Sequence, residues 1–131
     1  MTRAASSNAT APVDIATMLQ TAARLIHADG RPVEPAPDAA TADELTALMC
    51  GQLQLLIGEV EQMLGRQAGD SIRRYCATAC IGEARRKLSA EATPRYGGHI
   101  GHARRLARVL RALCEHYTEM GLPSRDARTS S

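Results

Sequence analysis

The chain has 131 residues, enough for one domain with tails, and its formal net charge of +2 does not by itself imply a nucleic-acid partner. It contains no Phe or Trp and only three Tyr, so the core falls to Leu, Ile, Val, Met and Ala, a composition that suits packed helices better than sheets. Four cysteines follow an N-terminal stretch without an apolar signal-like region, so free thiols in a reducing cytoplasm are expected. The longest uncharged apolar run, Leu45 to Gly58, is 14 residues and too short to span a bilayer, so no membrane partner is expected.

Residues 1–12 are rich in Ala, Ser and Thr and read as a disordered tail. A first helix is expected over 13–28, where Ile15, Met18, Leu19, Ala22, Leu25 and Ile26 share one face and Asp29-Gly30 stops it. Three Pro in six residues then mark 29–40 as an extended linker. Thr41-Ala42-Asp43-Glu44 has the capping-box pattern, so a second helix is predicted from there to about 66. Its apolar face is Leu45, Leu48, Met49, Gln52, Leu55, Leu56, Val60 and Met63, with Leu53, Ile57 and Leu64 at the edges. That arc is wider than one seam requires, which makes a homodimer a candidate assembly.

Gly69-Asp70-Ser71 supplies a turn and an N-cap for a third helix over 70–90, and Pro94 and Gly97-Gly98 break the chain again. In the fourth, over 98–121, Ala103, Leu106, Leu110, Leu113, Tyr117 and Met120 alternate spacings of three and four, a bundle seam. The expected fold is therefore all-α: an antiparallel bundle of three long helices over 41–121, plus the shorter N-terminal helix, with 122–131 as a tail.

The third helix has two apolar faces. Ile72, Tyr75, Cys76, Ala79 and Cys80 form one, and Ala77, Ile81, Ala84 and Leu88 form a second, nearly opposite. A helix apolar on two sides is expected to be the central one, with its cysteines packed as small hydrophobes. Glu83 falls on the first face and Glu59 on the apolar side of the second helix, while His99 and His102 project with the seam of the fourth. Carboxylates on core faces need partners, so Glu59, Glu83, His99 and His102 form a candidate buried polar network or ligand contact. Metal is the weaker reading. Glu59 and Glu83 are followed three residues later by Gln62 and Arg86, so the Glu-x-x-His pairs of a di-iron bundle are missing. No cofactor is expected, and no phosphate loop or nucleophile motif points to an enzyme.

Arg104, Arg105, Arg108 and Arg111 form a candidate basic surface on the fourth helix, opposite its seam. The alternatives are a solvated face bridged to acidic side chains and a surface for nucleic acid or an acidic partner. Against base-specific reading, no Asn or Gln lies among these Arg.

The stretch Cys80–Leu88 within "RYCATACIGEARRKLSA", followed by Ala103–Leu110 within "GHARRLARVLRALCEHY", resembles a family of small actinobacterial proteins of unknown function, often labelled natural product biosynthesis protein. The resemblance covers roughly residues 41–120. It implies a cytoplasmic, all-helical protein from an actinomycete, and it carries over no activity, cofactor or catalytic residue. The expected role is that of a non-enzymatic helical adaptor or regulatory partner, bound to another protein or to itself.

Overall fold

The computed structural model describes residues 13–66, 72–92, 95 and 97–121. Among them are four helices, α1 Ile15–Ala23, α2 Ala39–Arg66, α3 Ile72–Ser89 and α4 Gly98–Met120, and no strand. The expected Gly69-Asp70-Ser71 turn, the Pro94 break and both tails lie outside the described residues.

Asp14 caps α1, accepting from the Thr17 backbone N–H at 3.1 Å and from its hydroxyl at 2.8 Å. Such a cap satisfies a backbone donor that the helix start leaves unpaired. The helix ends at Ala23, five residues before the expected Ala28. Leu25 and Ile26 are fully buried but not helical. The chain turns back there: the His27 N–H donates to Arg31 O at 2.8 Å, Ile26 pairs with Pro32, and the Val33 N–H reaches Leu25 O. Gly30 makes the turn possible with φ of +89°, a left-handed conformation that costs other residues strain. The Pro-rich stretch thus begins as a folded-back segment instead of an extended one.

α2 starts at Ala39, two residues before the expected Thr41. Asp38 accepts from the Thr41 N–H at 2.8 Å, so the aspartate caps the helix and Thr41 lies in its first turn. The buried arc of α2 is also rotated from expectation. Leu53 and Ile57, read as edge positions, are buried, whereas Leu48 and Leu55 are half exposed. α2 must serve α1, α3 and α4 together, and the side carrying Leu53 and Ile57 is the one those neighbours cover.

The central helix is α4, not α3: α4 packs against all three others, more extensively than α2 does, whereas α3 meets only α2 and α4. Its seam is buried as the spacing predicted, from Ala103 through Leu106, Leu110 and Leu113 to Met120, with Tyr117 partly buried against the core. Gly97, at φ +87°, opens it; a Cβ there would meet the Gly101 Cα at 3.1 Å. Asp43 near the start of α2 meets His99 near the start of α4, and Met63 near the end of α2 approaches Gly121 beyond the end of α4. α3 buries one face only, Ala77, Ile81 and Ala84, with Leu88 partly covered. Two neighbours need one face of a helix, and α2 and α4 supply no third contact.

Candidate functional site

The second apolar face of α3 therefore remains open. Ile72 is 82% and Tyr75 75% exposed, Cys76 and Ala79 are exposed, and Cys80 is half-buried. This corrects the expectation that the cysteines are core residues: of the four, only Cys114 on α4 is fully buried. Burial pushes its thiol up to about 12, with Glu115 adding to the shift. Cys80 is raised to about 11 by burial first, then by Glu83 and Glu115.

Glu83 also lies at the surface rather than inside. Its carboxylate meets Lys87 Nζ at 2.7 Å and an Arg86 guanidinium nitrogen at 2.6 Å, both on its own helix. The Lys87 contact, reinforced by Arg86, holds the carboxyl down at about 2. Neighbours three and four residues along a helix reach each other without tertiary help, so the sequence contained this solution. Glu59 is half-buried on α2. His99 lies 2.6 Å from Asp43 Oδ1 in an exposed pair. His102 is buried, with no hydrogen-bond partner at Nδ1. Burial lowers its pKa, and Arg105 and His99 push the same way. The four residues thus occupy separate settings and do not form one buried network. Among the described residues, no group of three or more His, Cys, Asp or Glu could hold a metal ion.

Where α3 lies against α4 there is a shallow trough of about 530 Å³. Ala79, Cys80, Val109 and Ala112 make an apolar floor, and Glu83, Lys87, Arg105 and Arg108 make the rim. The histidines do not line it. Positions 72, 76, 79, 80, 83 and 87 follow helical spacing, so the trough continues the exposed Ile72–Cys76 stripe along a single face.

The arginines of α4 have a use that the sequence reading did not contain. Arg111 donates to His27 O at 2.6 Å, Arg108 to Gly30 O at 3.4 Å and Arg104 to Val33 O at 2.6 Å. Side chains at i, i+4 and i+7 thus hold carbonyls three residues apart on the segment running the opposite way. These carbonyls lie beyond the end of α1, where backbone acceptors lack helical donors. Hydrogen bonds to a carbonyl leave the guanidinium charge in place, so the helix stays cationic here. Nearby carboxylates contribute little: Glu34 is 3.6 Å from Arg104 and Glu115 4.0 Å from Arg111, both largely exposed.

One buried polar link joins α1 to α2. Gln52 Nε2 donates to Thr21 Oγ1 at 3.1 Å, and that hydroxyl donates to Thr17 O at 3.0 Å. Its chemistry is structural: the Gln52 amide N–H meets a hydroxyl at a helix contact, while Gln52 Oε1 is buried without a hydrogen-bond partner.

Among the described residues, fold and surface define a small all-helical protein with an open apolar face on α3. The model of a family of unknown function (DUF6415) matches residues 16–121, and the chain belongs to that family. No curated protein and no solved structure matches it. Among the described residues, no helix is long and apolar enough to cross a membrane.

Proposed function

We propose that this protein is a non-enzymatic adaptor or regulatory partner, an antiparallel helical bundle that works by docking another protein on the outer face of α3. The observation that carries this reading is the exposure of Ile72 and Tyr75 beside the Ala79–Ala112 trough. Large side chains left open next to small ones form a ready-made contact surface. Covering each of the two would contribute about 1.5–3 kcal/mol to a complex. A cytoplasmic setting beside the secondary-metabolite enzymes of an actinomycete is suggested by the resemblance of Cys80–Leu88 and Ala103–Leu110, and is part of the proposal. Residues 13–28 and 29–40 belong, on this reading, to the same working unit as 41–121, since α4 holds them.

The test places a photo-crosslinking residue at position 75 of the full chain in its host. A discrete adduct with a different protein, lost on Ile72→Ser while the melting temperature stays unchanged, is expected. Absence of any adduct, or an adduct that Ile72→Ser leaves intact, overturns the reading. Binding of nucleic acid through the Arg face is the weaker alternative, because Arg104, Arg108 and Arg111 already hold the 27–33 segment. A small-ligand site centred on Glu83 and His102 is weaker again, because only Glu83 borders the trough.

A further inference from the structure

Resting on that reading, we infer that the trough between α3 and α4 takes an acidic amphipathic helix from another protein. Charge decides between the occupants. The trough lining carries three cations, Lys87, Arg105 and Arg108, against one carboxylate, Glu83. Beyond it α3 adds Arg73 and Arg74, while Arg85 is paired with Glu61 of α2 and Arg86 with Glu83, the one acid on that helix. An apolar floor flanked by positive charge is complementary to a helix with Leu-like side chains on one face and Glu or Asp beside them.

A second copy of this chain fits less well. Pairing α3 with itself in antiparallel fashion would set Arg73 and Arg74 of one copy near Arg85, Arg86 and Lys87 of the other, a repulsive contact. Seating the acidic α2 of another copy in the trough would match charge and could use Leu48 and Leu55. That contact joins two different surfaces, however, and a heterologous contact that does not close extends into open chains. A flat lipid surface would reach Ile72 and Tyr75 but leave the floor at Ala79 and Ala112 uncovered. The small side chains there admit the ridge of a helix, as helix-in-groove recognition requires.

The experiment titrates the full-length protein into a fluorescent synthetic helix carrying Leu at i, i+3, i+4 and i+7 and Glu on its flanks. Controls are a scramble of the same composition, a version with Lys for Glu, and vesicles of phosphatidylglycerol with phosphatidylcholine. The expected result is binding of the acidic amphipath at least tenfold tighter than of the scramble or the Lys version. It should fall by tenfold or more with Ala112→Glu, weaken with Arg105→Glu, and weaken as salt rises. Equal binding of the scramble, insensitivity to Ala112→Glu, or vesicle binding in place of peptide binding overturns the inference. So does a head-to-tail oligomer in analytical ultracentrifugation that Leu48→Glu disperses. Suppose the position-75 crosslink captures a partner whose touching segment is neither acidic nor helical. The adaptor reading then stands and this inference falls, so the two failures are distinguishable.

Discussion

α3 and α4 lie against each other and read much alike in sequence, each with an apolar stripe and a row of cations, yet they have opposite fates. The seam of α4 is buried against three neighbours and its arginines reach across to carbonyls of the 27–33 segment. α3 buries a narrow row of Ala and Ile, bonds its cations locally or to α2, and leaves a second apolar face open. A stripe becomes core only where another element lies over it. In this fold α4 stands in the middle and α3 at the side.

Four measurements test that contrast. The largest expected difference is in thiol reactivity. Cys76 on the open face should react with a maleimide at the rate of a free thiol, and Cys114 roughly a thousandfold or more slowly, because its labelling needs the domain to open. Mass spectrometry of the native protein over time gives both rates; comparable rates would mean that the two faces are not distinct. Second is a pair of truncations read by urea unfolding. Leu110→Ala should cost about 2–5 kcal/mol, whereas Tyr75→Ser should fall within about 0.5 kcal/mol of the parent.

Third, Arg104→Ala should cost about 1–3 kcal/mol, since it removes a partly buried charge-assisted bond to Val33 O, and Arg111→Ala about 0.5–1.5 kcal/mol, since its bond to His27 O is exposed. Faster amide exchange at 25–33 should accompany the loss, and if the arginines were merely a solvated face neither change would appear. Fourth and smallest is a pH effect at His102. Its folded pKa lies below the usual value of 6.5, chiefly through burial, so the unfolded chain binds the proton more readily. Its contribution is complete above pH 6.5 and is lost as pH falls below that value toward the folded pKa. His102→Asn should flatten that part of the stability–pH curve. The acid loss owed to Glu83 belongs to a separate window, below about 4.5, because Lys87 and Arg86 hold that carboxyl at about 2.

Much of the helical framework is legible in residues. Alternating spacings of three and four in 103–120 mark the α4 seam, and Gly97 and Gly121 bound that helix within a residue of expectation. The start of α2 is displaced because two capping signals lie three residues apart and Asp38 prevails over Thr41. The candidate site is legible only in part. Ile72, Tyr75, Cys76 and Ala79 stand out as an apolar face, but periodicity reports that a face is apolar, not that a neighbour covers it. The local solution for Glu83 is present in the sequence as Arg86 and Lys87 at i+3 and i+4. Nothing in the sequence signals that Arg104, Arg108 and Arg111 find His27, Gly30 and Val33, because every residue carries the same carbonyl acceptor.

What the sequence determines by itself is therefore local: approximate helix bounds, which residues share a face, and the helical content that the spacing of Gly, Pro and apolar side chains dictates. What tertiary structure alone decides is which helix stands at the centre, which of two apolar faces on α3 is left open, and which backbone the α4 arginines hold. Hydrogen bonds within a helix and caps act over four residues and are written in order along the chain. Burial depends on what lies opposite in space, and the chain order does not contain that distance.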